Sequence, residues 1–344
     1  MELVKRVLAG ERLALARLLT QVENDTPAGQ AALDELFPFA GKAHLVGITG
    51  APGTGKSSLV NQIAQLFRQP QAGMQPCKVA IVAVDPSSPF TGGALLGDRV
   101  RMRDLAGDPG IFIRSMAARG ALGGLARSTA GVVQVLDAAG FDLILIETVG
   151  AGQNEVDIVR LAHTTIVVEA PGMGDDIQAI KAGLLEIADI LVINKADRPG
   201  VENTTRALKT MFELGRPGRV MTGKHILQEN ETALISGEEE HSGWLPPILT
   251  SIATQGEGAG NIVQAIRQHG KYLKLSGEWG MRERGRLQNE LEDRLQTALV
   301  ARWRSRLPDE AFQSSLADVL ERKISPLQAV AILLNFDVNY EEKN

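Results

Sequence analysis

Apolar and polar positions along this chain fall into two periods. Five short stretches, Leu45 to Ile48, Lys78 to Val84, Asp142 to Ile146, Thr164 to Val168 and Ile190 to Ile193, are almost continuously apolar and rich in β-branched residues. Such runs suit strands buried on both faces of a parallel sheet, and Ile111 to Arg114 is a shorter candidate. Helical spacing occupies most of the intervals. The alternation predicts an α/β fold, a doubly wound parallel sheet with its site at the carboxyl ends of the strands.

Both ends of the chain read as helical. Residues 3 to 23 carry leucines and valines among charges at roughly helical spacing, interrupted at Gly10, and a second piece spans Ala31 to Phe37 before Pro38. These precede the first strand and predict an added arm over residues 1–42, ahead of a nucleotide domain over 43–270. From 271 to 344 apolar positions such as Leu287, Leu291, Leu295 and Leu299 are interleaved with Arg and Glu, and a last helix begins near Ser325-Pro326. The polar segment 223–243 reads as a solvated excursion.

The first apolar run leads into Gly50-Ala-Pro-Gly53-Thr54-Gly55-Lys56-Ser57 and then a helical pattern from Ser58. This G-x-x-x-x-G-K-S sequence between strand and helix is a phosphate-binding loop. Its glycines let the backbone curl around an anion, with N–H groups from Gly53 to Ser58 turned inward where the helix presents its positive end. Lys56 then sits on the outer phosphates and the Ser57 hydroxyl on Mg²⁺.

Acidic residues stand where other strands end. Asp85 and Glu147 directly follow apolar runs, and Asp98 lies in a glycine-rich loop. Carboxylates are the hard oxygen ligands that Mg²⁺ prefers, so with Ser57 these three are the metal candidates. Asn194-Lys195-Ala196-Asp197 follows the Ile190 run as N-K-x-D. A carboxylate at Asp197 accepts both guanine N1–H and the exocyclic amine, for which adenine has no matching pair of donors, so the predicted nucleotide is GTP.

Composition narrows the class. A chain of 344 residues with 44% hydrophobic content can bury a large core, and a net charge of −5 demands neither nucleic acid nor an anionic membrane. Cys77 is the single cysteine, and the five histidines lack metal-ligand spacing. The amino terminus is charged, and no run approaches the length of a membrane span, so a cytoplasmic location is expected.

Several stretches together resemble one family, the MeaB/ArgK G-protein chaperones of adenosylcobalamin-dependent acyl-CoA mutases. They are GITGAPGTGKSSL (47–59), VAVDPSSPFTGGALLGDRVRM (82–102), FIRSMAARGALGGLA (112–126), ETVGAGQNE (147–155), EAPGMGDDIQAIKAGLLEIADILVINKAD (169–197) and SIATQGEG (251–258). The resemblance implies a GTPase with GTP/GDP and Mg²⁺ at Lys56, Ser57, Asp85, Asp98 and Glu147. It implies guanine held by Asn194, Lys195 and Asp197 with the Ser251 region behind the base. It makes Pro171 to Lys181, including Gln178 and Lys181, a switch loop that relays nucleotide state to the mutase. Gln153 and Gln178 are the candidates for positioning the attacking water. The tail after Lys271 would mediate a homodimer. Ala121 stands where the family usually has histidine, and Ile252 where it usually has alanine.

Two other classes compete. A nickel-insertion maturation GTPase would be expected to carry Cys or His ligands or a His-rich tract. A transport-associated ATPase or kinase would not need N-K-x-D.

Overall fold

The structure is a computed structural model, and it describes residues 2–69, 76–86, 103–105, 107–118, 124–148, 161–172, 187–215 and 243–341. Among these, seven strands form one sheet: β1 (His44–Thr49), β2 (Val79–Pro86), β3 (Ile111–Ala118), β4 (Leu143–Thr148), β5 (Thr164–Glu169), β6 (Ile190–Asn194) and β7 (Ile248–Ser251). Their order is β3-β2-β4-β1-β5-β6-β7, and every pairing is parallel. The chain winds from β1 out to β3, returns to β4 beside β1, then crosses to β5 on the other side. That reversal opens a crevice at the carboxyl end of β1.

Each apolar run singled out in the sequence is a strand here. The central strands are buried on both faces, so their sequences show no alternation. β7 was not foreseen, since four residues behind Pro246-Pro247 carry little pattern of their own.

One face is covered by α4 (Lys56–Arg68) and α7 (Ala259–Ser276), which bring Leu59, Ile63, Ile262 and Ile266 against Val46, Ile48 and Ile166. The other is covered by α5 (Gly124–Ala138) and by the amino-terminal helices α1 (Glu2–Leu8), α2 (Arg12–Glu23) and α3 (Pro27–Leu36). α6 (Val201–Gly215) adds Leu208 to a smaller cluster with Val167, Leu191 and Ile193.

The amino-terminal helices, expected as an added arm, share a core with the sheet. Val4, Leu18, Leu19 and Leu36 are buried with Leu45, Val82 and Ile144. α3 starts earlier than the pattern suggested because Thr26 caps it, its Oγ1 accepting from Gly29 N at 3.1 Å with Pro27 in the first turn. Polar contacts fasten the arrangement. Arg12 donates to the Pro109 carbonyl at 2.9 Å, Arg114 of β3 pairs with Glu23, and the Asp137 carboxylate accepts from Gly41, Lys42 and Ala43 N at 2.6, 3.1 and 3.0 Å.

The chain divides into two compact units, 1–286 and 287–344. α8 (Glu278–Arg306) follows α7 after Gly277, whose φ of 79° stops the preceding helix. In the second unit α9 (Asp309–Leu320) and α10 (Pro326–Glu341) complete the chain, Trp303 Nε1 donates to Leu333 O at 3.3 Å, and Arg304 lies 4.0 Å over the Phe312 ring. Among the described residues no helix is long and apolar enough to cross a membrane.

Candidate nucleotide site

The loop that leaves β1 is shaped by contacts on its glycines. Gly50 has φ 137°, and a Cβ there would lie 2.0 Å from the Val168 carbonyl oxygen of β5. Gly55 has φ 94° at the start of α4, and a Cβ would lie 2.3 Å from Asn194 Nδ2. No side chain fits at either position, and the loop lies directly on the ends of β5 and β6.

Asn194 ties the pieces together. Its Nδ2 donates to Thr54 O at 2.8 Å, while its Oδ1 accepts from Ser251 Oγ at 3.1 Å and Ala253 N at 3.0 Å. The side chain is buried, so this junction is rigid. Lys195 follows with φ 58°, and its Nζ donates to Gly53 O at 2.5 Å. Ala196 N donates to Ser251 O at 3.0 Å, which fixes the turn that carries Asp197 into solvent.

Lys56 is 6% exposed, and its ammonium bonds the Gly50 and Ala51 carbonyls at 2.7 and 2.9 Å across the mouth of the loop. Ser57 Oγ donates to Glu147 Oε1 at 2.6 Å, linking the first turn of α4 to the end of β4. Behind them Thr148 Oγ1 and Thr49 Oγ1 meet at 3.3 Å. Ser58 lies on the same first turn, half-buried. The amino end of α4 gives the crevice a positive end, and the Ser57–Glu147 pair gives it hard oxygen donors.

Of the residues singled out in the sequence, the structure brings together Gly53, Thr54, Gly55, Lys56, Ser57, Glu147, Asn194, Lys195 and Ser251. The backbone of Asp85 lies in β2 opposite Ala117 of β3, but its side chain falls outside the described residues. Asp98, Gln153, Gln178 and Lys181 also lie outside them. Sequence reading missed Ala253. Ser251 pairs with Asn194 in the sheet, so it is Ala253 whose amide meets the Asn194 side chain, whereas Ile252 N donates to Glu257 O at 3.0 Å. The signal that could have found it was the β6–β7 register, which needs β7 first.

The sequence model described as methylmalonyl Co-A mutase-associated GTPase MeaB matches residues 15–307. The chain belongs to this family. A putative GTPase of Pyrococcus horikoshii is 41% identical over 333 residues, covering 97% of this chain and 96% of that one. The GTPase ArgK of Escherichia coli is 37% identical, covering 80% and 77%. Among solved structures, one described as the LAO/AO transport system kinase superposes with a TM-score of 0.66 at 28% identity, covering 97% and 96%. The MeaB assignment makes this protein a P-loop GTPase that takes guanine nucleotide, and the crevice above β1 is where the fold presents its phosphate loop.

Proposed function

We propose that this MeaB-family GTPase binds GTP with Mg²⁺ above β1 and uses hydrolysis to gate the loading of adenosylcobalamin into a B12-dependent acyl-CoA mutase in the cytoplasm, protecting and reactivating that enzyme. The observation that carries the nucleotide half is Asn194, which holds the phosphate loop through Thr54 and the base loop through Ser251 and Ala253. Both ends of a nucleotide then meet one frame. The mutase half rests on the family's description and on a Caenorhabditis elegans relative named methylmalonic aciduria type A homolog, 35% identical over 210 residues.

In this reading Lys56 exchanges its two carbonyl partners for the outer phosphate oxygens, a stronger charge-assisted contact. Ser57 and Glu147 hold the metal side, with Asp85 and Asp98 as further carboxylates. Mg²⁺ supplies neutralisation of charge on the β- and γ-oxygens. Asp197 accepts from the guanine edge. Gln153 and Gln178 orient the water, and the segment from Pro171 to Lys181 carries the nucleotide state outward.

A homodimer completes the proposal. Leu291, Leu295 and Leu299 of α8 stand four residues apart and more than half exposed, at 67%, 56% and 57%, a stripe that a second copy would cover. Sedimentation should give twice the chain mass for the wild type and the single mass for Leu295→Glu. A single mass for both ends the dimer assignment.

The functional test is capture from source lysate on the immobilised protein with GDP or a non-hydrolysable GTP analogue. Recovery of a cobalamin-dependent mutase in one nucleotide state supports the chaperone role, and recovery in neither overturns it. Turnover of GTP against ATP tests the base assignment separately from the partner.

A further inference from the structure

The five histidines are scattered in sequence, yet three of them meet at the end of the sheet opposite the nucleotide crevice. His44 opens β1, His163 directly precedes β5, and His269 lies on α7. Thr164 Oγ1 joins two of them, at 2.7 Å from His44 Nε2 and 2.8 Å from His269 Nδ1. The first turns of α8 close over the group. Trp279 stacks on His163 at 4.0 Å, and Arg282 grips Asp189, at the start of β6, through two bonds of 2.7 and 2.8 Å.

Hydrogen bonding fixes the state of His163. Its Nδ1 accepts the Leu45 N–H at 3.1 Å, so its proton is on Nε2, 3.2 Å from Glu283 Oε2. The charges are already matched around the rings: Asp189, Glu278 and Glu283 stand with Arg282, Arg286 and Lys274. Three carboxylates and three cations already offset one another, and Asp189 Oδ1 also stands 3.4 Å from His269 Nε2, the carboxylate that faces that ring. Trp244 and Tyr272 close the remaining side of His269 without adding charge.

We propose that the root of α8, residues 278–286, is an acid-released latch on the amino ends of β1, β5 and β6, packed while the His44 and His269 rings are neutral and released when these two take up protons. Burial, reinforced by the neighbouring His163 and His269, holds His44 at about 3. Burial likewise holds His269 at about 4, against the opposing pull of Asp189. Both lie below the ordinary value of 6.5, so the packed state binds fewer protons than the released one. Latching is therefore independent of pH above about 6.5, and weakens as pH falls from there towards about 4. One to two protons taken up on release multiply the opening constant by ~10- to 100-fold per pH unit in that window.

Hydrogen exchange on the full-length protein between pH 7.5 and 5, corrected for intrinsic rates, reads this directly. Amides 282–286 and Leu45 should lose protection at that slope below pH 6.5, while amides 132–138 of α5 should not. His44→Gln should flatten the slope of the latch amides. If that variant does not fold, the wild-type comparison decides alone. Flat protection at 282–286, or loss there that α5 matches at the same pH, overturns the latch.

Discussion

The two ends of β1, β5 and β6 solve opposite problems. At the carboxyl ends the chain gathers backbone amides, a lysine and oxygen donors around a space meant for a charged ligand. At the amino ends it packs imidazole and indole rings among ion pairs. Each strand passes rigidly from one to the other: Asp189 and Asn194 bracket β6, and His44 and Gly50 bracket β1. A site that must admit a ligand and a site packed shut at neutral pH thus share three strands, and ligand affinity and fold stability should respond to different residues.

The largest effect is expected at the crevice. Lys56→Ala removes the ammonium that spans the Gly50 and Ala51 carbonyls at the loop mouth and should lower single-turnover GTP hydrolysis by ~10²- to 10³-fold, with circular dichroism unchanged. At the other pole, Arg282→Ala leaves the nearly buried Asp189 without its bidentate partner. It should cost about 3 kcal/mol, seen as a Tm lower by about 6–10 °C, with GTP affinity held within about twofold. A comparable loss of affinity would show that the poles are coupled, and would break the comparison.

Asp197→Asn comes next. It exchanges an acceptor for a donor towards the guanine edge and should weaken GTP binding by ~10- to 100-fold at unchanged Tm. ATP hydrolysis that persists unaltered in this variant would sink the guanine assignment. The smallest effect belongs to Asp137→Asn, which keeps one acceptor oxygen but puts an NH2 donor where the second carboxylate oxygen accepted a backbone N–H. Denaturant unfolding should report a loss of about 1–2 kcal/mol.

What the sequence disclosed follows the same division. The crevice is written in contiguous motifs, Gly50 to Ser57 and Asn194 to Asp197, because adjacent backbone groups must point at one ligand. The strands were legible because burial on both faces erases alternation. β7 and Ala253 were not, since a four-residue strand is specified by the neighbour it pairs with. Nor could the amphipathic stripes of α1 to α3 say which surface they would cover. The histidine cluster draws on residues from 44 to 283, and no local spacing foretells it.

Lys195 is a small case of selection against comfort. It holds a left-handed φ of 58°, where a residue with a side chain is about 1 kcal/mol less at ease than glycine, and its Nζ reaches Gly53 O. Lys195→Gly should therefore melt no lower than the natural chain and still release nucleotide faster. A protein improved by heat selection alone would drift towards that glycine, and its phosphate loop would lose a tether in the process.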